Sequence, residues 1–262
     1  MKDWDINIYR GILTGYNEAF IIDGKTKEQL IEKSPKNAEI IRPILRGRDI
    51  KRYGYEFADL WLLYIPWHFP LHKNPSITGV SEKAELEFQK EYPDIYNHLL
   101  QYKEQLSDRN KAETGIRYEW YALQRWGANY MDDFSKQKIV WKRVGSILRF
   151  GIDLEGCVTL DSTCFATGNN LKYLVGVLSS KLGNYMLQDS PRTGTGDLLI
   201  SVQAIEPIRI PIPNSEQNHI ISEIVDKLSE NESNIEYNDQ LNKAIYNIYN
   251  IDSELINFIE LQ

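Results

Sequence analysis

The pattern of the chain changes at Pro207, Pro211 and Pro213. Before these prolines, short apolar runs and glycine turns alternate with helical periods; from Ser215 onward apolar residues recur only at intervals of three and four. Proline cannot donate to a strand ladder and collects at strand and domain edges. Beyond it, Ile220, Ile221, Ile224, Val225 and Leu228 fall on one helical face, and Leu241, Ile245, Ile248, Tyr249, Leu255 and Ile259 on another. These two stretches predict a C-terminal helical hairpin. The chain of 262 residues thus reads as a mixed strand and helix domain, 1–213, followed by an α-helical tail, 214–262. That is an α+β architecture built on a mixed sheet.

Within 1–213, a strand from Trp4 leads to a turn at Thr14-Gly15-Tyr16-Asn17 and a second strand, EAFIID. Thr26 reads as the cap of a helix running toward Glu32, stopped by Ser34-Pro35. DLWLLYIP predicts a buried strand, and residues 81–108 predict two helices parted by Pro93. KQKIVWKRV, ILRFGID and CVTLDSTCFAT read as strands, and NLKYLVGVLSSKLGNYMLQ as one small-residue amphipathic helix. A loop, DSPRTGTGD, then leads into LLISVQAIEPIRIPIP, read as a strand.

The net charge of −7 speaks against nucleic acid only until its distribution is seen. Residues 214–262 hold ten acidic side chains against Lys227 and Lys243, so the tail accounts for the whole excess. No run approaches the roughly 18 apolar residues of a membrane span. Lys2, Asp3 and Asp5 stand where a signal peptide needs an apolar segment, and a cytoplasmic, non-membrane protein is expected. Cys157 and Cys164 match neither a CxxC redox pair nor a zinc ribbon and are expected to be unpaired thiols.

The motifs that carry catalysis fail on spacing. Gly11-Ile-Leu-Thr-Gly15 lacks the second half of a P-loop, and Leu199 stands where a third glycine would complete Gly194-Thr-Gly196 as a dinucleotide fingerprint. The Pro-Pro-aromatic loop of amino-group methyl transfer is missing, since the chain has no Pro-Pro pair. Pro93-Asp94 has no acid-x-Lys partner within thirty residues, which argues against a metal-dependent nuclease. His68 and His72 are four apart, but Pro66 and Pro70 break the helix that would let them share a zinc ion. No metal site and no catalytic residue is assigned.

What remains are cations interleaved with aromatics. Arg42, Arg46, Arg48, Lys51 and Arg52 form one run with a single acid, Asp49; Lys136, Lys138, Lys142, Arg143 and Arg149 form a second. Each alone reads as a solvated face. Together with Arg192-Thr-Gly-Thr-Gly they resemble phosphate contacts plus a flexible tip. On a period-two strand Lys136, Lys138 and Lys142 would share one face, with ammonium groups about 6 to 7 Å apart.

WDINIYRGILTGYNEAFIID, IIRPILRGRDIKRY, YEWYALQR, KQKIVWKRV, LKYLVGVLSSKLGNYM and IRIPIPNSEQNHIISEIVDKL, in that order, resemble the TaqI-like C-terminal specificity domain. In that family the module follows an adenine-specific DNA methyltransferase domain, often in restriction-modification enzymes of the Eco57I kind. The resemblance implies a DNA specificity module of a type II system, not an enzyme on its own. It would bind double-stranded DNA and present a target adenine to a methyltransferase or restriction domain, in cis or in trans, with S-adenosylmethionine in that domain and no cofactor in this chain. The chain then reads as a fragment, or as a freestanding specificity subunit; an enzyme of unrecognised type is the competing reading. Phosphate contacts are expected from Arg46, Arg48, Lys51, Arg52, Lys138 and Lys142, base-edge contacts from Arg192, Thr193, Thr195, Gln124 and Arg125, and Arg143 is counted with them as a nucleic-acid-binding residue. Tyr118, Trp120 and Tyr121 read as core aromatics in preference to base-stacking ones.

Overall fold

A computed structural model describes residues 4–261; Lys2 and Asp3 lie outside the described residues. The N-terminal half runs β1 (Ile6–Arg10), α1 (Asn17–Phe20), β2 (Ile21–Asp23), α2 (Gly24–Lys33), β3 (Ile41–Leu45), β4 (Leu60–Leu63), α3 (Glu82–Glu91), α4 (Pro93–Leu100) and α5 (Lys103–Asp108). Then follow β5 (Lys138–Lys142), β6 (Val144–Gly145), β7 (Phe150–Asp153), β8 (Val158–Thr159), β9 (Thr163–Gly168), α6 (Leu171–Ser179) and α7 (Lys181–Leu187). The chain closes with β10 (Leu198–Leu199), α8 (Val202–Ile205), α9 (Ser215–Glu230), α10 (Ile235–Tyr249) and α11 (Ser253–Glu260).

These elements form two compact units, and the boundary differs from the expected one at 213/214. One unit takes the chain to Gly11, Arg46–Glu56 and everything from Asp133; the other takes Ile12–Leu45 and Phe57–Asp132. The C-terminal helices therefore belong to the first unit. Ile221, Ile224, Val225, Leu228, Leu241, Ile245 and Ile259 share one buried cluster with Trp141, Phe150, Tyr173, Leu174 and Leu178. The apolar stripes that predicted the hairpin need a surface to cover, and α6 provides it.

In the first unit the sheet runs β1-β9-β5-β7, all pairs antiparallel, and an isolated parallel bridge between Tyr53 and Gly151 makes it mixed. Seven of the nine residues of α6 are buried, as expected of a helix covered on more than one side. It packs against β5 and β7 and against α9. Gly176 permits the close approach: a Cβ there would stand 2.6 Å from Ile221 Cγ2 and 3.2 Å from Val225 Cγ2. The single helix expected over NLKYLVGVLSSKLGNYMLQ breaks at Ser180, whose hydroxyl donates to Val177 O (2.7 Å) and accepts from Gly183 N (3.0 Å). Asn214 and Gln217 close a capping box on α9, and α11 follows the hairpin as a third helix packed on α7, tied by the Lys181–Glu260 ion pair.

Two further expectations are corrected in this unit. LLISVQAIEPIRIPIP keeps strand structure only at Leu198–Leu199; its prolines prevent a ladder, and Ile208 and Ile210 are buried from irregular backbone, with Ile210 O accepting from Trp4 Nε1 at 2.9 Å. β5 is central, flanked by β7 and β9, so Ile139 and Trp141 are buried together with Lys138 and Val140. No solvent-facing row of three lysines exists.

The second unit pairs β2 with β4 and β4 with β3, antiparallel, over an aromatic core of Phe20, Phe69, Phe88, Tyr92, Tyr96, Trp120 and Tyr121. Phe88 lies 4.7 Å from Tyr121 and Trp67 stacks on Tyr118 at 4.7 Å, so the YEWY aromatics are core. EAFIID becomes one helical turn followed by three strand residues, and the following helix is capped by Asp23, not Thr26: Asp23 Oδ1 accepts from Thr26 N at 2.7 Å. The expected helices over 81–108 are three, the third being α5.

The α6–α9 contact yields the first prediction. Gly176→Val forces methyl groups into Ile221 and Val225 and is expected to cost about 1–3 kcal/mol of unfolding free energy. Gly194→Ala, in open space, is expected to stay within about 0.5 kcal/mol. Denaturant midpoints of the two variants check the difference.

Candidate nucleic-acid interface

Several cations of the first unit that form no ion pair among the described residues lie at the end of the sheet where β5 runs out. Lys142, the last residue of β5, is exposed, and Arg149 is exposed just before β7 begins. The chain between them turns back through β6, which pairs antiparallel with β10 in the register Leu198↔Gly145 and Leu199↔Val144. Ile200 N donates to Arg143 O at 2.8 Å and extends this attachment. The Arg46–Asp49 loop lies against the same place: a Cβ on Gly47 would meet Lys142 Cγ at 3.0 Å.

That loop is held by its own acid. Arg46 donates from Nε to Asp49 Oδ2 (2.9 Å) and from Nη2 to Oδ1 (2.7 Å), while its backbone N–H reaches Oδ2 at 2.8 Å. The hydrogen bonds to buried Asp49 hold the Arg46 guanidinium above its ordinary pKa. Arg46 is therefore the clasp of the loop. Arg48 is exposed, and among the described residues it has no ion-pair partner.

The loop after α7 folds back on itself. Arg192 bridges to Leu198, Thr193 N donates to Asp197 O (2.8 Å), and Leu199 N to Pro191 O (2.7 Å). Arg192 Nη1 reaches Gly196 O at 3.0 Å and Nη2 reaches Gln188 Oε1 at 3.3 Å. The Thr193 and Thr195 hydroxyls are 2.8 Å apart. Gly196 has φ +88°, a conformation that favours glycine, and nothing lies within 4 Å of a Cβ at Gly194 or Gly196. A pre-shaped polar tip with open space around it suits close approach to another molecule.

The structure sorts the expected contact residues. Arg48, Lys142, Arg143, Arg192, Thr193 and Thr195 share the sheet end or the loop attached to it through β10. Lys51 is paired with Glu56 at 3.1 Å, and Arg52 donates to Ser179 O at 2.6 Å with its own N–H on Glu232 Oε2 at 3.2 Å. Gln124 and Arg125 belong to the second unit. There Arg125 pairs by backbone with Leu13 (2.8 and 2.9 Å), and Gln124 packs under the Thr14–Asn17 turn, where a Cβ on Gly15 would lie 2.6 Å from its Oε1. The turn is fastened by Arg109, which donates to Thr14 O (2.5 Å), Trp120 O (3.1 Å) and Ala122 O. Burial lowers the Arg109 pKa to about 10. Thr14 is buried and the turn is tied to the unit beneath it, with Asn17 exposed at its end.

Lys138 is the clear correction. It is fully buried, 2.6 Å from Asp153 Oδ2, and its ammonium also donates to Phe134 O (2.6 Å) and Lys136 O (3.4 Å). Asp153 accepts in turn from Glu155 N (2.9 Å) and Cys157 N (2.8 Å). Burial depresses the Lys138 pKa, and Asp153 opposes that shift. Alternation along β5 gave Lys138 an outward face because sequence alone does not show that β5 is central. Arg149, which sequence placed in the second basic run but not among the contacts, joins Lys142 at the sheet end.

No other chemistry gathers in the described residues. No group of three or more potential metal ligands occurs among them, and no helix is long and apolar enough to cross a membrane. His68 is satisfied by buried Glu119, with Nδ1 at 3.0 Å from Oε1 and the His68 backbone N–H on Oε2 at 2.8 Å. Both cysteines are free and buried, and burial pushes their thiols up to about 12 (Cys157) and about 11 (Cys164).

The family profile described as the TaqI-like C-terminal specificity domain matches residues 42–210. A curated relative, the type II methyltransferase M.MjaIV of Methanocaldococcus jannaschii, is 22% identical over 224 residues, covering 82% of this chain and 68% of the relative. Among solved structures, the type IIL restriction-modification enzyme MmeI in complex with DNA aligns with a TM-score of 0.63 at 13% identity, over 94% of this chain and 33% of that one. That likeness concerns the fold, and this chain spans a third of the length of the enzyme it matches.

The buried pair yields a prediction separate from any ligand. Lys138→Met leaves Asp153 charged and unpaired and is expected to cost about 3–5 kcal/mol in a denaturant titration. Arg48→Ala is expected to fall within about 0.5 kcal/mol of the parent chain.

Proposed function

This chain belongs to the TaqI-like C-terminal specificity domain family and is a DNA-recognition module of restriction-modification systems; from that premise we propose that it grips duplex DNA through the sheet end bearing Lys142, Arg143, Arg149 and Arg48. The Arg192–Thr195 tip then faces base edges. The observation that carries this reading is the distribution of charge: Lys142, Arg149 and Arg48, exposed and without ion-pair partners among the described residues, lie together at one end of the sheet, while 214–262 carries the chain's net negative charge. Phosphate contacts fix register, and short polar side chains on an open tip read bases.

The chain is assigned no chemistry of its own. The curated relative is a methyltransferase, which supports a methyltransferase domain as the parent or partner. Adenine methylation and S-adenosylmethionine binding are assigned to that domain, whether joined in cis or met in trans. Lys51, Arg52, Gln124 and Arg125 are left with structural ties of their own, and direct contacts from them are secondary in this reading.

The test is affinity for a mixed-sequence duplex between 50 and 200 mM salt. With three or four phosphates neutralised, affinity is expected to fall on the order of 10²-fold across that range. Lys142→Ala and Arg48→Ala should each weaken binding to all sequences and reduce the salt slope by roughly one. A flat salt response overturns the proposal.

A further inference from the structure

The sheet end that carries the cations also displays one large apolar side chain. Ile147 is 66% exposed in the turn between Lys142 and Arg149, with Ser146 and Arg149 exposed beside it. Within residues 142–149 and 190–199 it is the only large hydrophobic group so exposed. Its neighbour Leu148 turns inward and packs on the core cluster. Isolated exposed aliphatics are ordinary on protein surfaces; the surroundings of this one distinguish it.

A Cβ on Gly145 would lie 3.6 Å from Lys142 Nζ and 3.7 Å from Ile147 O, so the ammonium and the Ile147 backbone are within about 7 Å of each other. Gly47, in the loop that carries Arg48, also lies against the Lys142 stem: a Cβ there would stand 3.0 Å from Lys142 Cγ. An aliphatic group thus stands among groups suited to phosphate. Its support is a two-stranded ribbon, β6 with β10. Strands about 4.8 Å apart, widened by their side chains, suit a major groove about 12 Å across better than a minor groove about 6 Å across. In the major groove the apolar feature of a base edge is the 5-methyl group of a pyrimidine.

Resting on the DNA-recognition reading above, we propose that Ile147 reads a 5-methylpyrimidine in the major groove while Lys142 holds the neighbouring phosphate. Two bases carry that methyl, thymine and 5-methylcytosine, and the experiment separates them.

A duplex is selected from a random pool by the full chain and titrated with the parent chain and with Ile147→Ala. Each thymine in turn is replaced by uracil, and each cytosine by 5-methylcytosine. One uracil position is expected to weaken the parent chain about fourfold, the worth of one buried methyl, and to leave Ile147→Ala unaffected. Where 5-methylcytosine is the natural target, the coupling instead shows as an Ile147-dependent gain at one cytosine. Effects of base and side chain that combine independently at every position, with no such gain, overturn the inference while duplex binding stands. Failure to select any duplex overturns the DNA-recognition reading itself. Because Ile147 is exposed, its truncation leaves the core intact.

Discussion

The first unit depends on the burial of α6. A helix with seven of nine residues inaccessible needs partners on more than one side, and the chain supplies β5 and β7 below it and α9 beside it. Gly176 sets how closely α9 can approach, because any side chain there meets Ile221 and Val225. The strands and the C-terminal helices are consequently parts of one core, although the sequence between them is broken by three prolines. Lys138 and Asp153 fix the other side of that core: both are fully buried, and their remaining hydrogen bonds hold the segments before β5 and after β7.

This architecture also separates the charges. Helix α9 buries its apolar stripe on α6, α10 packs on α9 and α7, and α11 packs on α7, and most of their carboxylates are left exposed. The sheet meanwhile ends in a turn whose cations, Lys142 and Arg149, have no ion-pair partner among the described residues. A chain of net charge −7 can thus present a local cationic surface, and local potential governs the approach of a polyanion more than the total does. The glycine-rich loop after α7 reaches the same region because β10 pairs with β6.

Much of this was legible in the sequence. The apolar periods located α9 and α10, the run DLWLLYIP located β4, and the family resemblance in the RGRDIKRY and KQKIVWKRV segments agrees with the matched range 42–210. The Gly11–Gly15 stretch, whose spacing does not match a P-loop, turns over Arg109 and Gln124. What the sequence left hidden depended on contacts distant along the chain. Lys138 looked like a surface cation because its partner, Asp153, lies on the neighbouring strand; Arg46 is a local case, engaged by Asp49 three residues on once the loop has closed. Arg52 is likewise tied to Ser179 and Glu232, far along the chain. Composition and period count charges; they do not show which charges are already satisfied. The compact units escaped notice for the same reason, since each is assembled from separate stretches of chain.

If the sheet end of the first unit, and not its acidic helices, meets DNA, hydrogen exchange of the full chain with and without saturating duplex will show it. Exchange is expected to slow in peptides covering 142–149 and 190–199, with 214–262 unchanged. Protection confined to 214–262, with the sheet-end peptides unaffected, would contradict it.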